Sequence, residues 1–315
     1  MLSYLLRRLI TSIIVIFFVS IGIFWLLHVV YPSPARAVLG LRATQFDVNT
    51  WNQQNGYNDP VIVQYFRYMG RALTGNLGFS YTLNQPVLAL LKQRAPRSIW
   101  LSGISLVLAI VIAIPLGVFQ AIKRNTIGDN ALTSLAFITY SMPSFFLGLI
   151  LIQVFSFSLP IFGFEASQSN NVFSIIGDWH DMTLPIATLT LTSVAAYSRY
   201  MRSASMDVLA QDYIKVARAK GLPERLVMIR HLVRNASLPM VTLIGLSLPL
   251  LLAGNLIVEE LFNYNGLGLL FFNSLQKIDY PTLLAYTLAG AVLVVIGNLI
   301  ADIALTVADP RIRLA

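Results

Sequence analysis

The sequence predicts an all-α integral membrane protein with six transmembrane helices and a small external cap between the first two. Three observations predict it. Of 315 residues, 56% are hydrophobic and only 11% are charged, where a soluble domain carries about 25% charged residues. Six apolar runs stand at 9–30, 99–122, 131–160, 184–200, 240–258 and 283–307, each close to the ~20 residues that a bilayer crossing needs. The segments between them divide unevenly in charge: 1–8, 122–131, 199–236 and 308–315 hold 14 of the 22 Lys and Arg residues, and the other eight are spread over nearly twice the length. The positive-inside rule therefore places the chain in the cell membrane with both termini cytoplasmic. The same asymmetry accounts for the net charge of +8 without nucleic acid, for which there is no soluble basic domain.

Taken in order, the first run follows Arg7 and Arg8 and precedes Ala35-Arg36-Ala37, a pattern that could mark a cleaved signal peptide. Its 22 residues exceed the 7–15 of a signal core, so a retained span is the expectation. Segment 31–97 is too long for a simple connector. It holds turn signals at Asn55-Gly56 and Gly75-Asn76, an amphipathic run at Val61–Leu73, and aromatics at Trp51, Tyr57, Tyr65, Phe66 and Tyr68. These predict a cap of short helices rather than a disordered loop. Pro115, Pro143 and Pro249 fall inside apolar runs and each removes a backbone donor. Hydroxyls flank one of them in Ser141-Met142-Pro143-Ser144, which makes Ser141, Pro143 and Ser144 candidates for a pathway wall, with Asn255 of the fifth run in the same set. The fourth run is interrupted by Thr188, Thr190, Thr192 and Ser193, small hydroxyl residues that suit close packing within a bundle.

Chemistry-bearing clusters are few. Glu165, Asp178, His180 and Asp181 share the second external loop and read as solvated charges, because no further ligand with supporting spacing stands near. His28, His180 and His231 fall in a span, an outer loop and an inner loop, too far apart across ~30 Å of hydrocarbon to share a metal. There is no Cys, which excludes disulfides and thiol chemistry. No G-x-x-x-x-G-K-[ST] loop, H-E-x-x-H or G-x-S-x-G pattern is present, so no metal and no cofactor is expected on this chain. Asp302 is the acid well inside a span. A charge there must face protein or water, and a structural pairing is expected of it rather than a proton relay.

The most charged stretch is the inner loop Asp212–Pro239. Asp212 suits an N-cap and Gly221 a C′ position, predicting a short helix over 213–220. Ala217 and Ala219 are small, and Arg218 and Lys220 lie where cations complement the dipole. Pro223 and Glu224 then open a second helix, along which Leu222, Leu226, Ile229 and Val233 form an apolar stripe. This second helix fits a membrane surface. The first, with small residues and little apolar face, fits close approach to another protein.

Ala217-Arg218-Ala219-Lys220-Gly221, followed by His231-Leu232 and Asn235-Ala236, resembles the cytoplasmic coupling loop of ABC importer permeases in the dipeptide and oligopeptide branch. Gly75-Asn76-Leu77-Gly78-Phe79-Ser80 is similar to an element of the first permease subunit of those importers. Arg199-Tyr-Met-Arg202, Asp212-Tyr213, Val258-Glu259-Glu260-Leu261-Phe262, Gly266-Leu267-Gly268, Asp279-Tyr280-Pro281 and the ending Asp309-Pro310-Arg311-Ile312-Arg313 follow in that family's order. Lys215, Asn265 and Ile278 depart from its common residues. The resemblance implies a six-helix permease fold made of 1–30 (N-terminus and first span), the cap 31–97, and a core 98–315 carrying a coupling loop at 203–236. It implies contact with a cytoplasmic ATPase through Asp212, Tyr213, Ala217, Arg218, Ala219, Lys220, Gly221 and Leu222. It implies contact with an external partner through Glu259, Glu260, Gly266 and Gly268. The expected assembly has a second permease, two ATPases that carry ATP and Mg, and an extracellular substrate-binding protein delivering peptide. A nickel chelate, glutathione or an oligosaccharide stays open as substrate. A polytopic membrane enzyme or stand-alone channel stays open as another class.

Overall fold

The computed structural model describes residues 2–31, 33–40, 42–169 and 171–308, leaving out side chains at helical positions 2–6, 8–9, 248–253 and 301–308. The C-terminal Asp309–Arg313 match lies outside the described residues, as does the side chain of Asp302.

The described chain is predominantly helical. Helix α1 (Leu2–Val30) is followed by three cap helices, α2 (Ala35–Leu39), α3 (Gln45–Asn55) and α4 (Val61–Leu73). Then come α5 (Val87–Ile122), α6 (Ile127–Ser141), α7 (Ser144–Ile152) with a π-helical end at Gln153–Ser158, α8 (Val172–Gly177) and α9 (Trp179–Leu209). The inner loop holds α10 (Asp212–Ala219), α11 (Glu224–Leu226), a π-helical segment Val227–Val233 and α12 (Arg234–Ala236). Helices α13 (Leu238–Ala253), α14 (Leu256–Leu261), α15 (Leu267–Gln276) and α16 (Tyr280–Ala308) complete the fold.

Each predicted apolar run falls in helix, but not always in one straight helix. By length and composition α1, α5 and α16 can each cross a membrane alone, and α6 with α7, together long and apolar enough, is bent by 106° at the junction, the form of a broken span or a re-entrant loop. The bend sits where Pro143, in extended conformation with Met142, stops α6 and opens α7. The proline thus ends one helix and begins another, where a kink within a single span is the expectation. The fourth run lies in α9, whose hydroxyls dilute its apolarity, and the fifth in α13, which stops at Gly254 (φ +81°). Six spans are compatible with this arrangement.

The centre of the bundle is the α5–α9 pair. Ser105, Ala109, Ala113 and Gly117 recur every fourth residue on α5 and are buried, a small-residue stripe that lets two helices approach closely. At Gly117 a Cβ would stand 2.7 Å from both the Cβ of Met201 and the carbonyl of Ser198, so any larger residue there should pry α9 away. Helix α16 packs on α13, and α1 on α16, leaving Ile13, Phe18 and Trp25 outward as a lipid-facing side. The cap is tied to the bundle by a core of Phe24, Tyr65, Tyr68, Tyr280 and Leu284. His28 anchors it further, meeting Tyr280 through Nδ1 and Gln64 through Nε2 at 2.8 Å.

Candidate functional site

The inner loop leaves α9 at Ala210 and turns at Gln211, which takes the N-cap position expected of Asp212. Asp212 is the first helical residue instead, because Gln211 has the extended backbone of a cap, and its carboxylate pairs with Lys215 at 2.9 Å on the surface. At the other end Gly221 sits at φ +74°. Its N–H donates to Arg218 O (2.9 Å) and that of Leu222 donates to Ala217 O (3.4 Å), the paired bonds of a Schellman close. Leu222 packs on the small core of Ile214, Ala217 and Val227, the hydrophobic contact that accompanies such a close. Helix α10 therefore has a buried side, Ile214 and Ala217, and an outer side where Tyr213, Val216, Ala219 and Lys220 are exposed. The structure turns Ala217 inward, so the small surface offered outward is Ala219. Arg218 is braced by Glu224 at 2.6 Å, a surface pair that contributes little energy but fixes the side chain.

The predicted stripe beyond Pro223 is displaced. Leu226 and Ile229 are exposed, and the buried positions are Val227, Leu232 and Ala236. The cause is the π winding of Val227–Val233: more residues per turn move the inward face off the 3.6-residue spacing from which the stripe was read. Leu232 and Ala236 enter a core with Ala109, Ala113, Tyr197, Met201 and Met240, so packed side chains run from α10 through Val227 and its neighbours to α5 and α9.

Arg202 of α9 makes a two-pronged ion pair that sequence reading missed. Its Nε and terminal nitrogen donate to Asp129 at 2.9 and 2.8 Å, with Asp129 1% exposed. The Asn125 N–H (3.0 Å) and Thr133 hydroxyl (3.3 Å) also donate to Asp129. The Arg202 bonds above all hold this carboxyl down at about 2. The local signal was Thr126-x-x-Asp129, where Thr126 caps α6 by accepting from the Asp129 N–H.

In the segment after α13, Glu259 is fully buried and accepts from the Ser98 hydroxyl (2.7 Å), Asn255 N–H (3.1 Å), Gly268 N–H (2.7 Å) and Leu269 N–H (3.3 Å). Gly266 and Gly268 are buried as well. A Cβ at Gly268 would meet backbone atoms of Leu256 at 2.6 and 2.7 Å. Of the four residues expected at an external partner, three thus lock the Gly266-Leu267-Gly268 turn, and only Glu260 is partly exposed. Arg94 and Arg97 both donate to Asn265 O at 3.1 Å and complete the lock. A second buried acid, Asp279, accepts from Ser80, from Tyr81 N–H (3.2 Å) and from the hydroxyls of Thr82 and Thr282 (2.9 Å each). The cap motif ending in Ser80 is thereby fastened to the start of α16.

Among the pathway candidates, Ser141, Pro143 and Ser144 lie at the α6/α7 break, where Ser141 and Pro143 are exposed. Asn255 lines a cavity of about 140 Å³ with Ser102, Ser105, Ser193, Tyr197 and Ser247, and the Tyr197 and Ser247 hydroxyls are 2.6 Å apart. These hydroxyls come from α5, α9 and α13 and have no shared sequence signal. In the second outer loop Asp178 accepts from Ser167 (2.5 Å) and Ser169 (3.0 Å), and His180 faces Asp181 at 2.8 Å.

The described chain is thus a bundle of apolar helices, several long enough to cross a membrane, with a helical cap and an exposed loop helix between α9 and α13. Residues 113–314 match the family described as binding-protein-dependent transport system inner membrane component, and residues 1–102 match its N-terminal companion. The chain belongs to this family. It is 38% identical over 315 residues to the oligopeptide transport system permease protein AppB of Bacillus subtilis (strain 168), covering 99% of this chain and all of that one. It is 34% identical over 313 residues to the glutathione transport system permease protein GsiC of Escherichia coli (strain K12), covering 99% of each.

Proposed function

We propose that this chain is one transmembrane half of an ATP-driven importer of dipeptides or oligopeptides, pairing with a second permease and docking on a cytoplasmic ATPase through α10. The observation that carries the reading is α10 itself: a Schellman-closed helix anchored by Ile214 and Ala217 that leaves Tyr213, Val216 and Lys220 uncovered. The full-length likeness to an oligopeptide permease supports a peptide cargo. Glutathione, named for the second relative, is itself a small peptide and belongs to the same chemical class. ATP and Mg reside on the partner ATPases, and this chain performs no catalysis. Closure of the ATPase pair displaces α10. The displacement passes through Val227, Leu232 and Ala236 to Met201 and Tyr197, and Tyr197 borders the hydroxyl-lined cavity. An extracellular binding protein delivers cargo to the outer mouth, where Glu260 is the acid left partly accessible.

The test is Val216→Asp in the assembled transporter. An unpaired carboxylate pressed into the ATPase contact is expected to cost about 2 kcal/mol or more, weakening ATPase retention about 30-fold and stopping peptide uptake. The thermal midpoint of the permease itself should not move, since Val216 is 51% exposed. Normal ATPase retention and uptake would remove the docking role. Orientation is checked with single cysteines: one at exposed Thr74 is expected to label from outside, and one at Lys220 only after permeabilisation.

A further inference from the structure

The largest cavity described lies away from the hydroxyl-lined one. It has a volume of about 460 Å³, is enclosed by the outer ends of α1 and α16 and by the cap, and shares no lining residue with the cavity at Asn255. Its walls are aromatic, from Phe24, Tyr57, Tyr68, Tyr81 and Tyr280, and two arginines reach it, Arg67 and Arg71. Arg67 is neutralised by Asp59 at 2.5 Å. Among the described residues no carboxylate pairs with Arg71, whose guanidinium acts electrostatically on the hydroxyls of Tyr57, Tyr68 and Tyr81. The Tyr68 residue is only 8% exposed and its hydroxyl is buried without a hydrogen-bond partner. Buried hydroxyls are normally bonded, so an unfilled donor beside an unpaired cation points to an anionic acceptor.

We propose that this cavity binds a phospholipid, its phosphate on Arg71 and the Tyr68 hydroxyl and its acyl chain lying against Phe24 and Leu284. The site lies where α1 and α16 reach the outer surface, the depth at which tyrosines and headgroups meet. The turns of α1 that line the cavity also carry exposed Trp25 and Val29, an apolar surface at the level of the site. One net positive charge, Arg67 being neutralised, suits a phosphodiester. The bound lipid would wedge cap, first span and last span together.

The experiment uses the full transporter reconstituted in phosphatidylglycerol vesicles with a photoactivatable phosphatidylglycerol whose reactive group is midway along the acyl chain. Labelling is expected at Phe24 and Leu284. It should fall about tenfold in Arg71→Glu, fall less in Tyr68→Phe, and be retained in Arg71→Lys. Peptide uptake with saturating binding protein serves as the folding control for Arg71→Glu. Equal labelling in wild type and Arg71→Glu overturns the proposal. So does labelling spread evenly over the exposed face of α1. Inorganic phosphate that suppresses Phe24 labelling at millimolar concentration would make the site a free-anion site, and peptide that suppresses it would make it a substrate site. Either result overturns the lipid.

Discussion

Replacing Glu259 with alanine is expected to cost the fold about 4 kcal/mol or more and to lower the thermal midpoint of the purified protein by about 10 °C. The reason is arithmetic on orphaned donors. The carboxylate accepts from three backbone N–H groups and the Ser98 hydroxyl, it is fully buried, and each buried donor left without a partner costs about 1–3 kcal/mol. Water has little room to substitute, because Gly266 and Gly268 press against the carboxylate and Leu256. Glu259→Gln should cost about half as much, since an amide keeps one acceptor oxygen but turns an N–H₂ group toward donors. Glu260→Ala should leave the midpoint within about 0.5 kcal/mol of wild type. Differential scanning fluorimetry on the three variants checks the order. An unchanged midpoint in Glu259→Ala, with uptake abolished, would return Glu259 to the role of an external contact.

That residue also shows what local sequence could and could not convey. The apolar runs were legible because each is close to the ~20 residues of a bilayer crossing, and the close of α10 was legible because Gly221 supplies the positive φ that ends a helix. The cap helix Val61–Leu73 was legible from its periodicity. What local sequence did not convey is which groups meet across the fold. Glu259 and Glu260 are adjacent and chemically identical in sequence, yet only the approach of Ser98, 161 positions away, buries the first. Ser80 reaches Asp279 across 199 positions, so two motifs that were read separately prove to be two halves of one joint. The apolar stripe from Leu222 to Val233 was misplaced for a different reason. The residues were read correctly, but the π winding of Val227–Val233 leaves no local mark. The hydroxyls around Asn255 sit on three helices whose register no single run reveals.

The Asp129–Arg202 pair is expected to be the strongest electrostatic element on the inner side. Asp129→Asn should destabilise the protein at neutral pH by about 2–3 kcal/mol, the free energy equivalent of lowering a carboxyl from 3.8 to about 2. The sign is that of a depressed acid. The stabilisation is fully present above the unfolded value near 3.8 and is lost as pH falls through about 2. Unfolding curves of wild type and Asp129→Asn should therefore stay apart and parallel from about pH 5 to 8 and converge below about pH 4. Arg202→Leu should be worse than Asp129→Asn, on the order of 3–5 kcal/mol, because it strands the acid, 1% exposed, whereas the arginine is 23% exposed and can reach water. The double variant should recover part of that loss, as expected when two residues act through each other. Function should follow the same order. Arg202 stands two turns before the end of α9, from which α10 hangs, and Asp129 fixes that point to the start of α6. Cutting the pair leaves α9 free to move without α6, so uptake should fall more than ATP hydrolysis does. Equal loss of both activities, or a pH-independent gap between the curves below pH 4, would show that the pair only fills space.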